Sequence, residues 1–173
     1  MSVTTLTRVL VERRLDNVAA IIQTIQASPY FAPESVIALI EGESMGRNVY
    51  GGDAGGMFAQ TPRLHVTPRN FMQYLKSVLL DGHTANGVGL GQVTYRGYLP
   101  MAMEQGVALW VPLDNALFSV NQIFKPLVEQ PGVSLQRAAE MYNGGPGPAN
   151  AAAQAYGRAY MARRAAIKKA LDA

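Results

Sequence analysis

Apolar residues recur along most of this chain at three- and four-residue steps, the period of helices that bury one face. Leu6, Val9 and Leu10 begin the series, and Val18, Ile21, Ile22 and Ile25 continue it up to Ser28-Pro29, which ends it. A second helix is expected from about Pro33, a residue suited to a first helical turn. It carries Val36, Ile37, Leu39 and Ile40. Gly51-Gly52-Asp53-Ala54-Gly55-Gly56 cannot extend it and reads as a loop. Thr67 is an N-cap and Pro68 a first helical residue for a third helix. Phe71, Tyr74, Leu75, Val78 and Leu79 form its stripe, and Gly82 stops it. Asp114 is a candidate cap for a helix bearing Leu117, Val120, Ile123, Phe124 and Leu127, which Pro126 would kink or end. Ser134 caps a helix running to Tyr142, stopped by Gly144-Gly145-Pro146, and an alanine-rich helix starts near Asn150. Val107–Val111 reads as a short strand or a loop. The expectation is one mainly α domain over residues 1–173, with no internal repeat.

Composition narrows the chemistry. At 173 residues and 49% hydrophobic, the chain can fold as one domain without a disulfide or metal staple. It has no cysteine, which excludes a disulfide framework, a thiolate zinc site and a cysteine nucleophile. Its two histidines, His65 and His83, are too few for a His-rich metal site. No apolar run approaches the ~20 residues that span a bilayer, so no membrane insertion is expected. MSVTTLTRVLVERRLDN lacks the apolar core of a signal peptide, so none is expected. A net charge of +3 leaves nucleic acid, an anionic wall polymer and simple solubility all open.

The segment VIALIEGES carries two carboxylates. At ~100° per residue, Glu43 falls on the stripe of Val36, Leu39 and Ile40, while Glu41 points to one side. A carboxylate on an apolar face loses solvation, which raises its pKa. It then stays protonated near neutral pH, as a general acid must. That state suits cleavage of a glycosidic bond. The competing reading is a last-turn residue left in water. Two further segments bear on the choice. Gly87-Val88-Gly89-Leu90-Gly91-Gln92-Val93-Thr94 allows close backbone approach to a ligand, with Gln92 as donor and acceptor. Ala138-Ala139-Glu140-Met141-Tyr142-Asn143-Gly144-Gly145 puts an aromatic and an amide at a helix end, suited to a sugar; a packed tyrosine and an asparagine cap would serve structure alone.

In order, Glu43-Ser44, GLGQVT (89–94), MYNGG (141–145), Tyr156 and Tyr160 resemble the lysozyme-like superfamily, nearest the soluble lytic transglycosylases and goose-type lysozymes. The likeness runs over roughly positions 33–160. It implies a single lysozyme-like helical domain with a glycan-binding cleft. It also implies cleavage of the β-1,4 bond between N-acetylmuramic acid and N-acetylglucosamine in peptidoglycan, with no cofactor. Glu43 matches the general acid/base, and Ser44, Gln92, Tyr142 and Asn143 match positions that orient the glutamate or line the cleft. Whether water or the muramyl C6 hydroxyl completes the reaction stays open. Two departures stand out. Gly91 replaces the usual methionine, and a helical insertion of about 57–86 separates the first two motifs; it could lid the cleft or add a recognition surface. Candidates for a second carboxylate are Asp53 and Asp81, each equally a turn or helix-end residue. His83 lies beside the second motif; His65 carries no signal.

The resemblance leaves two alternatives. One is a non-catalytic peptidoglycan-binding or structural protein that retains the fold. The other is a nucleic-acid binder using Arg158, Arg163, Arg164, Lys168 and Lys169, residues more often on a solvated helix face; the expectation is no nucleic-acid partner. A bacteriolytic enzyme with no signal peptide suits a bacteriophage endolysin, released through a holin, or a virion protein packaged with other virion proteins.

Overall fold

The structure, a computed structural model, describes residues 1–61 and 63–173; Pro62, within the insertion, lies outside the described residues. The protein is mainly helical. Its elements are α1 (Val3–Glu12), α2 (Val18–Ala27), α3 (Pro33–Ser44), α4 (Pro68–Leu79), α5 (Tyr98–Glu104), α6 (Pro112–Phe118), a π-helical stretch (Ser119–Phe124), α7 (Lys125–Val128), α8 (Leu135–Gly144) and α9 (Ala151–Asp172). Extended pairing among the described residues is confined to isolated bridges such as Val49 with His65 and Tyr50 with Val88.

The expected punctuation largely forms. The Thr67 hydroxyl accepts from the Asn70 amide while the Asn70 side chain accepts from the Thr67 amide, a reciprocal cap for α4. Ser134 Oγ accepts from the Arg137 amide to cap α8, and Asn150 Oδ1 accepts from the Ala153 amide to cap α9, each without the return bond. Other expectations need correction. Asp114 does not cap α6: Pro112 opens that helix, and the Asp114 carboxylate accepts from the Ala108 amide at 3.3 Å. Of the two readings of Val107–Val111, the structure has the loop, a turn between α5 and α6. Pro126 does not end its helix. The chain is helical from Pro112 to Val128, and the turn just before the proline widens into the π-helical stretch.

Two apolar clusters organise the body. The first gathers Leu6, Val9 and Leu10 of α1, Ile21 and Ile25 of α2, all of Val36–Ile40, and Ala138, Tyr160 and Ile167. The second joins Tyr50, Phe58, Phe71, Tyr74, Leu75, Val78, Leu99 and Phe118. The helix Pro112–Val128 lies between them, giving Val120 and Phe124 to the first and Phe118 and Ile123 to the second. Tyr142 packs against both.

The described residues of segment 57–86 build the aromatic part of this second cluster, where the Tyr50 ring lies 4.1 Å from Phe58 and 5.4 Å from Tyr74. Tyr74 donates to the Asn86 carbonyl at 2.8 Å, closing this lobe back onto the second motif.

α3 is the central helix. Val36, Ile37, Ala38, Leu39 and Ile40 are each at most 1% exposed, so the helix is buried on every side rather than along one stripe. α9 runs along both α3 and α8.

Truncating Ile37 to alanine deletes a fully enclosed side chain between the helices that carry the site. The expected loss is about 2–5 kcal/mol, read as a fall in the midpoint of thermal unfolding followed by far-UV circular dichroism. A variant that melts with the wild type would show that this helix is not the structural centre.

Candidate active site

α3 delivers two carboxylates to different surroundings at its last turn. Glu41 is taken by Arg13 in a two-pronged ion pair, Nη2 to Oε1 at 2.7 Å and Nε to Oε2 at 2.8 Å. Glu43 faces the cleft. A cavity of about 440 Å³ opens on one side of it, lined by Gly51, Gly52, Asp53, Gln92, Val93, Thr94, Tyr95, Tyr98, Ile123, Tyr142 and Asn143. A second, of about 340 Å³, opens on the other, lined by Ser44, Arg47, Val49, Tyr50, Arg63 and others. Glu43, Gly51, Gly52 and Gln92 border both, so the two cavities adjoin at Glu43.

Loss of solvent is the main reason that the Glu43 carboxyl is pushed up to about 7, from an ordinary value of 4.5. The Tyr156 hydroxyl, which donates to Glu43 Oε1, pulls the other way, as does the charge of Arg163; the charge of Asp53 adds to the rise. A last-turn position at the negative end of a buried helix dipole works in the same direction as burial. Burial and the Glu43 charge in turn raise the Tyr156 hydroxyl well above its usual range, keeping it a donor.

The three motifs meet at residues 89–92. Ser44 Oγ donates to the Leu90 carbonyl at 2.8 Å, and Tyr142 Oη donates to the Gly91 carbonyl at 2.6 Å. Gln92, at φ 49°, donates through Nε2 to Val49 O at 3.0 Å and Gly89 O at 2.8 Å. Its amide donor is thus used by the loop itself. Ser44 and Tyr142 likewise act as ties between α3, α8 and the loop while lining the cavities. Asn143 is exposed at the cleft rim.

Gly91, the departure from the resembled pattern, is filled rather than empty. A Cβ there would lie 1.9 Å from Ser119 Oγ and 3.0 Å from Tyr142 Oη, so the loop rests directly on the π-helical stretch.

The two further carboxylates part company. Asp53 lines the larger cavity, and its Oδ2 accepts from the Gly87 amide at 2.7 Å, which fixes it beside Gln92. Asp81 is exposed and lines neither cavity. His83 is engaged elsewhere, with Nδ1 2.9 Å from Ser77 Oγ. Of the described residues of segment 57–86, Arg63 alone lines either cavity; the lobe backs the cleft wall instead of covering it.

Other site residues escaped the sequence reading. Tyr95 and Tyr98 form an edge-on pair, ring centroids 5.1 Å apart, on the cleft wall just past the second motif. Aromatics adjoining a glycine-rich segment were the available signal. Arg163 and Arg164 do not belong to a solvated basic face. Arg164 pairs with Glu34 at 3.1 Å and Ser35 Oγ at 2.9 Å, and Arg163 donates to Ala38 O at 3.2 Å. Arg158, Lys168 and Lys169 are exposed.

No group of carboxylates and imidazoles among the described residues is arranged to hold a metal ion, and none of their helices is long and apolar enough to cross a membrane. Compared with protein-family models, with curated proteins and with solved structures, the chain matches none.

Two outcomes follow from this geometry. Gly91→Ala forces the loop off Ser119 and is expected to cost about 1–3 kcal/mol; adding Ser119→Gly recovers part of it, which a double-mutant cycle of unfolding midpoints reads directly. The second concerns pH. A carboxyl whose pKa is raised on folding contributes its full share of stability below about 4.5 and loses it as pH climbs through about 7. Glu43→Gln escapes that loss. It is expected to melt above the wild type at pH 8 and close to it at pH 4, by ~2–4 °C for each kcal/mol. Equal melting at both pH values would mean that Glu43 is solvated.

Proposed function

We propose that the protein cleaves the β-1,4 bond between N-acetylmuramic acid and N-acetylglucosamine in bacterial peptidoglycan, as a lysozyme or lytic transglycosylase with a lysozyme-like fold. The observation that carries this reading is Glu43: a carboxyl raised to about 7, held by Tyr156, on the ridge between two open cavities. A polymer lying through both cavities presents an internal bond to it. Protonated Glu43 gives its proton to the bridging oxygen, the bond from muramyl C1 to that oxygen breaks, and N-acetylglucosamine leaves with a free 4-hydroxyl. The resulting carboxylate then accepts a proton from the group that attacks C1, either water or the muramyl C6 hydroxyl. Desolvation keeps the acid form available near neutral pH, and the Tyr156 hydroxyl stabilises the carboxylate that follows.

Each named residue has a part in this reading. Asp53, fixed by the Gly87 amide, is the second carboxylate, placed to orient water or to meet positive charge developing on the sugar. Tyr95 and Tyr98 offer rings to sugar faces, and Asn143 an amide to sugar hydroxyls. Ser44, Gln92 and Tyr142 hold the cleft wall to the helix that carries the acid. The substrate lies outside any membrane, on the cell wall; release as an endolysin through a holin and carriage in a virion are the delivery routes that the reading allows.

Glu43→Gln keeps the shape of the site and removes the proton. It is expected to fold and to release no muropeptides from purified cell walls, where the wild type does. Mass spectrometry of the wild-type digest names the reaction, because an anhydro end is one water lighter than a reducing end. Products undiminished in the Gln variant would overturn the proposal, and wall binding without any product from the wild type would assign the fold to a binding protein. Asp53→Asn is expected to lower product release by roughly 10²–10⁴-fold, the range for a positioned acid–base group.

A further inference from the structure

Arg163 enters none of the sequence motifs, yet it is lodged against the last turns of α3, the helix that carries Glu43. Its guanidinium takes the space that a side chain at position 42 would need: a Cβ on Gly42 would lie 2.1 Å from Nη2 and 2.6 Å from Cζ. Nε is anchored on the Ala38 carbonyl at 3.2 Å, one turn up the same helix. The cation lies 5.5 Å from the centre of the Tyr156 ring, within the range of a cation–π contact. Nη2 is buried and has no hydrogen-bond partner among the described residues. Arg164, its neighbour, is neutralised by Glu34, whereas no carboxylate among the described residues pairs with Arg163.

We propose that Arg163 is a positioning residue for Glu43: lodged in the Gly42 notch and against the Tyr156 ring, it holds that hydroxyl on the carboxylate and supplies the counter-charge when the proton leaves. The inference rests on the general-acid role of Glu43 given above. The groups that face Glu43 from the elements around it are Tyr156 and Arg163 of α9, Tyr142 of α8 and Asp53 of the glycine-rich loop. Glu41, on its own helix, is taken by Arg13. Arg47 and Arg63 border the second cavity, and Arg47 has Asp16 at 3.5 Å. Burial, Asp53 and the end of the helix all favour the neutral acid, while Tyr156 and Arg163 favour the anion. A catalytic carboxyl that must both give and take a proton needs both groups of influences, and Arg163 is the charged member of the second.

The test is a direct titration of the Glu43 carboxyl by ¹³C NMR on the full chain labelled at glutamate, its resonance assigned as the one missing from Glu43→Gln. Arg163→Gln is expected to move the midpoint upward by about one pH unit, the low end of the range for losing one nearby opposite charge. Arg163→Lys keeps the charge and is expected to hold the midpoint near that of the wild type. Gly42→Ala is expected to push the flexible guanidinium aside and raise the midpoint without touching Arg163, and it gives the reading if Arg163→Gln does not fold. A midpoint unmoved in folded Arg163→Gln, or in Gly42→Ala when the former does not fold, would overturn the proposal. So would equal shifts in the Gln and Lys variants. The high-pH limb of muropeptide release should follow the same midpoints. Because the NMR reading needs no turnover, shifted midpoints without wall cleavage would count against the function while leaving the link between Arg163 and Glu43 in place.

Discussion

The site depends on a half-buried carboxyl at the end of a helix whose middle is buried on all sides. Val36–Ile40 are enclosed in every direction, so α3 has no solvated face along which its last turn could escape. Glu43 emerges where the apolar sheath ends and the cleft begins. α2 and α9 pack along this helix, and Tyr156 of α9 reaches the carboxyl itself. Marginal overall stability can support one such unfavourable group because a large apolar interface offsets it.

Around that constraint the backbone is drawn unusually close. Gly42 lets a guanidinium sit against α3, and Gly91 lets the second motif rest on Ser119. Both contacts are set by missing side chains. The ties from Ser44 and Tyr142 to the carbonyls at 90 and 91 then lock loop, central helix and α8 in one register. Their chemistry is donation from a hydroxyl to a backbone carbonyl, which fixes position without adding charge beside the acid. Ser44, Gln92 and Tyr142 thus serve the structure, which leaves Glu43, Asp53 and the Tyr95–Tyr98 pair as the groups facing the larger cavity.

Much of this was legible in the sequence. Caps at Thr67 and Ser134 announce their helices because a short polar side chain just before an apolar period satisfies the free amides of a first turn. The order of the Glu-Ser, GLGQ and YNGG segments marked residues that do converge in space, and the divergence of Glu41 from Glu43 followed from helical geometry. What escaped detection was of another kind. An uninterrupted apolar run such as Val36–Ile40 suits a helix buried all round as well as one with a stripe, so periodicity misjudged how enclosed α3 is. A basic cluster near the end of a chain reads as solvated because nothing local says which arginine will find a glycine notch more than a hundred residues away. Asp53 and Asp81 look alike in sequence; the Gly87 amide, which distinguishes them, arrives from the far side of the inserted lobe.

That lobe explains how a long interruption between motifs leaves the cleft intact. Its rings pack against one another and against Tyr50, Trp110, Leu99 and Phe118, and the chain returns through Asn86 to the point it left. Loop closure costs little more for a folded excursion of thirty residues than for a short turn, since the free energy grows only with the logarithm of length. The lobe need only bring its two ends together, which the Gly51 amide does by donating to the Gly87 carbonyl at 2.8 Å. Spacing between the first two motifs is therefore a poor guide to distance within the site. A cleft of this design accommodates an insertion between Glu43 and the second motif, whereas an added methyl at 42 or 91 must displace the Arg163 guanidinium or the Ser119 side chain.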